Sequence, residues 1–369
     1  MLSLELEINF VGMVQTEVYE KVLEGERLSP EEALSLFEED ITVLGYLANE
    51  ARKRHHPQNI ATFVIDRNVN YTNVCVAGCK FCAFQRKVGS PEGYVLPKEE
   101  ILKKVEELVE WGGTTLLMQG GLNPDLPLSY YEDLISSIKE RFPQVQIHSF
   151  SAPEIVYLAK IERLSIREVL KRLKEAGLDS LPGGGAEILS QEVRSFLSPG
   201  KCTVEEWEMV HRTAHELGMT STATMMFGHV ERPWHIVEHL ERVRRIQDQT
   251  GGFTAFIPWT FKKGKTQLDN LEEASSNYYL KVLAISRLYL DNFKNIQSSH
   301  VTQTMQIGII GLNFGANDLG SVMIEENVIS STSYRVSIPK VEDMVEAIRS
   351  AGFVPAQRDT YYRIVRVFD

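Results

Sequence analysis

From about residue 60 the sequence alternates short apolar runs with longer amphipathic ones, and it does so about eight times. The short runs, expected as strands, fall at 61–70, 114–118, 145–150, 178–181, 220–227, 253–257, 293–298 and 307–312. Between them apolar residues recur at helical spacing, as Ile101, Val105 and Leu108 do. Capping boxes open helices at Ser165 with Glu168 and at Thr203 with Glu206, while Gly177 and Gly218 end them. Eight strand–helix units point to a (β/α)8 TIM-type barrel, which covers both faces of a parallel sheet and leaves no edge. A doubly wound sheet is the alternative, but no dinucleotide fingerprint follows the first strand. Residues 1–58, with a capping box at Ser29, Pro30 and Glu32, read as an N-terminal helical cap. The barrel is expected over 59–320. Residues 321–369 read as a short C-terminal α/β extension packed on it, since no Pro-, Gly- or Ser-rich linker sets them apart.

The first strand leads into NYTNVCVAGCKFCAF, where Cys75, Cys79 and Cys82 stand in C-x3-C-x2-C spacing. Zinc wants four ligands, usually in two pairs, and Cys202 stands alone. Iron–sulfur clusters are held by thiolates. Three thiolates on one loop hold three irons of a four-iron cluster and leave the fourth open to a ligand. Three buried structural thiols, or an electron-transfer cluster completed by Cys202, are the rival readings. The net charge of −11 argues against nucleic acid as the main partner. No run of 18 apolar residues indicates a membrane span, and the acidic N-terminus lacks the basic segment of a secretion signal. Clustered free thiols suit a reducing, cytoplasmic setting.

Other candidates sit where strands should end, because barrel chemistry gathers on the loops after strands. The second strand ends in Gln119, Gly120 and Gly121, and glycines let backbone approach a ligand closely. The third ends in His148, Ser149 and Ser151, the fourth in GGGAE with Glu187 and then Arg194, and the fifth in Gly228, His229 and Glu231. Asn317 and Asp318, flanked by glycines, are expected at the barrel mouth as contacts for substrate hydroxyls, with an Asx-turn as the rival. His211 and His215 form an H-x3-H pair, read as solvated on an outer helix.

The triplet, with the aromatic Phe81 just before its last cysteine, resembles the radical S-adenosylmethionine (SAM) superfamily. The stretches QGGLNPDLPLSYYEDL, LPGGGAEIL, SPGKCTVEEW, TATMMFGHVE, GGFTAFIPWTF and ANDLGSVMIEENV extend the resemblance to 328. The whole set resembles the futalosine-pathway enzymes of menaquinone synthesis, most of all their cyclase branch. Aminofutalosine synthase and the deazaflavin (FO) synthases are its relatives. The resemblance implies a [4Fe-4S] cluster on Cys75, Cys79 and Cys82. It implies SAM held near Phe81, Gln119, Gly120, Gly121 and Ser149, its ribose by Glu187, its carboxylate by Arg194 and its adenine near Gly228. Leu122 departs from the pattern, since an acidic residue often follows the glycine pair. His229, Asn317 and Asp318 would meet the substrate, dehypoxanthine futalosine. Phe256, Pro258 and Trp259 would wall its aromatic ring. A deoxyadenosyl radical would take hydrogen from C4′ of the ribose-like ring, and the carbon radical would close on the substrate's own benzoate. A reducing protein such as flavodoxin or ferredoxin would supply the electron.

Overall fold

The computed structural model describes residues 16–368, so the first fifteen residues of the expected cap lie outside the described residues. The first barrel strand runs as two collinear pieces, β1 (Ile60–Val64) and β2 (Asp66–Val69). β3 (Thr115–Met118), β4 (Gln146–Ser149), β5 (Ser180–Leu181), β6 (Thr220–Phe227), β7 (Phe253–Thr260) and β8 (Asn295–Ile296) follow in order. β2 to β8 form one parallel sheet in sequence order. β9 (Asp318–Ser321) pairs in parallel with β1, and a single bridge between Gln297 and Asp318 joins it to the far side. The curled sheet therefore returns on itself. Helices sit on its outer face, each burying one stripe, as Ile166–Ala176 buries Val169, Leu170 and Leu173. Each such side chain contributes about 1.5–3 kcal/mol relative to exposure.

One expected strand is a helix. MQIGIIGL forms Met305–Leu312, with the Thr304 hydroxyl accepting from the Ile307 amide as its cap. A short apolar run cannot be told from a buried helix by periodicity alone. Gly308 and Gly311, one turn apart, let this helix lie close on the barrel. A Cβ at Gly311 would come within 2.2 Å of Ser298 Oγ. The last strand is DLGS, and this moves Asn317 and Asp318 from the mouth to the strand's beginning. There Asn317 Oδ1 accepts from the Ile296 amide (2.9 Å) and Arg287 Nη2 (3.1 Å), and its Nδ2 donates to Asn295. Asp318 takes Arg358 Nε (2.6 Å) and Nη2 (3.0 Å) and the Thr62 hydroxyl (2.5 Å). Both residues stitch the seam and neither lines the central cavity.

Two segments beyond β9 complete the vessel. Residues 322–334 run over the mouth, where Glu325 pairs with Arg67 and Lys104, and Asn327 meets Asn70. β10 (Val354–Arg358) then pairs in parallel with β1, and β11 (Ile364–Val367) pairs antiparallel with β10. This hairpin lies at the N-terminal ends of the strands, because Thr360 and Asp359 bond Gln146 and Gln357 bonds Gly112. It is the barrel floor. At the other end of the chain, the helix Ile41–His55 packs on Ser276–Tyr289, and Arg27 pairs with Asp248 and Asp291.

Replacing Asn317 with Ala leaves two buried donors unmet. The substitution should lower stability by about 1–3 kcal/mol in denaturant titration. Substrate KM of the folded fraction should stay unchanged, whereas a rise in KM without loss of stability would return Asn317 to the binding site.

Candidate active site

All three clustered cysteines open onto one cavity of about 400 Å3 inside the barrel mouth, and Cys202 does not. None of the four is in a disulfide. Cys202 lies buried just before the helix Val204–Glu216, with Arg194 Nη2 against its sulfur (3.3 Å). Among the described residues no three His, Cys, Asp or Glu side chains converge on a point that would hold a single ion. A four-iron cluster needs no such convergence, since each thiolate takes its own iron. Three cavity-facing thiols, with the fourth cysteine off the cavity, thus fit a cluster that keeps one iron open.

The loop is held by backbone. The Cys75 amide donates to Arg86 O and the Lys80 amide to Leu197 O. The Leu122 amide donates to Cys75 Sγ (3.3 Å), and the Ala77 amide to the same sulfur (3.4 Å). Leu122, where an acid was the common pattern, therefore braces the loop through its main chain. Gly120 and Gly121 are glycine for steric reasons. A Cβ on Gly121 would sit 2.2 Å from Val74 O, and one on Gly120 would sit 2.5 Å from the Tyr71 ring. Beneath them Glu154 accepts from Tyr71 Oη, the Gly120 amide (3.1 Å), the Ser151 amide (2.7 Å) and Ser151 Oγ (2.6 Å). Burial raises the Glu154 carboxyl, and those four donors oppose it. Sequence reasoning missed both Glu154 and its helix, Ala152–Glu162, although Ser151-Ala-Pro-Glu154 is a legible capping box.

Glu187 lines the cavity from a left-handed turn (φ 44°). Lys201 Nζ binds its Oε1 at 2.6 Å and Arg194 Nη1 lies 3.3 Å from its Oε2. Burial would raise this carboxyl, but the two cations outweigh it and hold it below the usual range. Lys201 also sits 5.2 Å from the Phe81 ring centroid. Burial pushes the Cys79 thiol up to about 12, with the Lys201 charge pulling the other way. No sequence signal singled out Lys201.

Of the expected SAM contacts, Phe81, Gln119, Gly120, Gly121 and Glu187 line the cavity. Arg194 does not. It is fully buried and spends its guanidinium on Cys202 O (2.7 Å), Gly185 O (2.6 Å) and Ala186 O (2.9 Å), bracing the loop that carries Glu187. Ser149 is buried behind β4 while its neighbour His148 faces inward, as strand alternation requires; Ser151 lies beyond the strand end, past the positive φ of Phe150 (64°), and also lines the cavity. Gly228 and His229 are also off the cavity. The Gly228 amide donates to Glu231 (2.7 Å), and His229 Nδ1 lies 2.9 Å from the same carboxylate. On β7 it is Ile257 and Trp259 that face inward, whereas Phe256 packs outward against His239 and Phe293. His211 is buried and His215 half-buried rather than solvated, and His211 Nδ1 (2.9 Å) and His215 Nε2 (2.7 Å) both reach the Ser221 hydroxyl.

A radical SAM superfamily profile matches residues 69–243, and one described as the CofH/MqnC C-terminal region matches 250–368. A protein of Halalkalibacterium halodurans named cyclic dehypoxanthine futalosine synthase is 48% identical over 95% of each chain. The chain belongs to the radical SAM superfamily. Its members use a [4Fe-4S] cluster and SAM, and the chain is an enzyme of that kind. A Streptomyces coelicolor protein of the same name is 41% identical over 95% of this chain and 89% of its own. An aminodeoxyfutalosine synthase of Thermus thermophilus is 41% identical over 95% of this chain and 96% of its own. Among solved structures, methylornithine synthase (PylB) superposes with a TM-score of 0.70 at 18% identity, covering 92% of this chain and 97% of its own. The FeFe-hydrogenase maturase HydG of Carboxydothermus hydrogenoformans reaches 0.75 at 19% identity, covering 97% and 84%. These two establish the fold.

Two outcomes follow from this geometry. Cys202→Ala should keep full iron content after reconstitution, while Gly121→Ala, which drives a methyl into Val74 O, should lose most of it; equal iron in both would contradict the bracing described. His239 is the second case. Its Nδ1 accepts from the Leu189 amide (3.0 Å), its Nε2 has no partner among the described residues, and burial lowers its pKa to about 3. The unfolded ring protonates near 6.5 and the folded one does not, so stability falls as pH drops below that value. The slope from this one ring is up to about 1.4 kcal/mol per pH unit. Chemical denaturation of His239→Gln should show a flatter profile between pH 6.5 and 5, and an unchanged slope would show the ring to be hydrated.

Proposed function

We propose that the protein is a radical SAM cyclase that converts dehypoxanthine futalosine to cyclic dehypoxanthine futalosine in menaquinone biosynthesis. The observation that carries this reading is the single chamber onto which the three thiols, the glycine pair and Glu187 all open, in a chain 48% identical to a relative of that name. When bound, the cluster and SAM supply a 5′-deoxyadenosyl radical. Cys75, Cys79 and Cys82 would hold the cluster. Phe81, Gln119, Gly120, Gly121 and Glu187 would hold SAM, with Arg194 fixing Glu187 from behind.

The remaining task of the chain is to hold one substrate folded on itself and to keep water and stray hydrogen donors away. Ile257, Trp259, Val328 and Ile329 give the chamber apolar walls suited to an aromatic ring. The 322–334 segment covers the mouth and the β10–β11 hairpin closes the floor, so the reacting carbons would be walled on all sides. In this reading 1–58, 59–320 and 321–369 work as cap, barrel and closure. A small reducing protein, flavodoxin or ferredoxin, would deliver the electron in the cytoplasm. No helix among the described residues is long and apolar enough to cross a membrane.

The aminodeoxyfutalosine synthase relative, matching at 41% identity, supports a second reading with the same cofactors and another substrate. Anaerobic incubation of the reconstituted protein with SAM, a reductant and each candidate substrate separates the two. Deoxyadenosine and a cyclised product should form with dehypoxanthine futalosine, and turnover of the other enzyme's substrate alone would overturn the assignment.

A further inference from the structure

The deep end of the chamber carries polar groups for which the cyclase reading has no task. Asp66 on β2 is buried and lines it. Its Oδ1 accepts the Ser321 hydroxyl and the Met323 amide (3.2 Å), and among the described residues no other residue donates to Oδ2. Burial lifts this carboxyl to about 6, so it is largely ionised and accepting at neutral pH. Two residues on, and so on the same strand face, Asn68 also lines the chamber, 7% exposed, with its Oδ1 unpartnered. The floor hairpin brings Arg358, Thr360 and Tyr362 to the same end. The Tyr362 hydroxyl is buried without a partner among the described residues, and its ring lies 3.8 Å from the Arg358 guanidinium carbon.

Charge and donor count decide what such a floor can take. Among the described residues Arg358 and Lys201 are the only Lys or Arg side chains lining the chamber. Lys201 is at the cysteine end, bound to Glu187. Arg358 is already matched by both oxygens of Asp318, and its Nη1 donates to Asp359 O (3.1 Å). With Asp66 near it, one cation faces two carboxylates, and an anionic ligand would be a third negative charge in a buried space. A carboxylate also has no hydrogen to give to Asp66 or Asn68. Neutral hydroxyls on neighbouring carbons meet every requirement, since each can donate to one of those acceptors and one can accept from Tyr362 Oη.

We propose that the barrel floor is a hydroxyl-binding site, in which Asp66, Asn68 and Tyr362 hold the hydroxylated sugar of the substrate while its aromatic carboxylate lies elsewhere. The sugar's identity rests on the cyclase reading. The floor's preference for hydroxyls does not.

Equilibrium binding tests this without requiring turnover. Dehypoxanthine futalosine, analogues each lacking one ring hydroxyl, and an analogue with a carboxamide in place of the carboxylate are titrated into the reconstituted enzyme with SAM. Wild type should lose about ten- to hundredfold in affinity for at least one deoxy analogue. Asp66→Ala and the conservative Tyr362→Phe should shrink that ratio to threefold or less, with iron content unchanged. The carboxamide penalty should be the same in all three proteins. Retention of the wild-type deoxy ratio in both variants, or loss of the carboxamide penalty in them, would overturn the proposal. A wild type that binds the substrate but never cyclises it sinks the cyclase reading alone. One that binds no member of the series sinks the cyclase reading and, with it, the assignment of the floor to this sugar.

Discussion

The ring is closed by buried charge more than by backbone pairing. β8 is two residues long and meets β9 through one bridge, so the ladder there is too short to hold the seam. Side chains do it instead. Arg287, buried with no carboxylate partner among the described residues, reaches Gly315 O, Phe293 O and Asn317, and burial lowers its pKa to about 9. Asp318 binds Thr62 of β1 on one side and Arg358 of β10 on the other. Such a pair gives little net stability over an apolar replacement, but breaking it strands a charge at a cost of about 3–5 kcal/mol. The last barrel strand, the first strand and the floor are therefore fixed as a unit.

At the opposite end the constraint is steric. The glycine pair after β3 brings backbone into contact with the cysteine loop, and Glu154 and Tyr71 hold that backbone from below. Cysteine positions are thus set by a rigid strand end rather than by the loop's own preferences. Arg194 performs the same service for Glu187. Two residues whose chemistry suggests ligand contact, Arg194 and Asp318, turn out to hold other residues in place.

Much of this was legible in the sequence. Period-2 and period-3.6 patterns with glycine stops located most of the strand–helix units, and thiol spacing located the cluster loop. Legibility failed where one pattern admits two structures. MQIGIIGL is apolar in every position but one, so only its Thr304 cap argued for a helix, and reading it as a strand moved Asn317 and Asp318 to the wrong end of the barrel. It failed again where inward and outward depend on strand register. Phe256 and Trp259 lie three apart on an alternating strand and so must face opposite ways. Lys201 and Tyr362 come from a loop and a hairpin whose place is set by tertiary packing, and no local pattern marks them.

The floor hairpin has a bearing on how such enzymes diversify. Radical generation is confined to the cysteine end, whereas the shape and polarity of the deep end are written largely by β2 and by a separate strand pair inserted from far along the chain. Changes in that pair can retune which molecule fits while leaving the ignition machinery untouched. A scaffold with a replaceable bottom is a ready means for one barrel to serve several substrates.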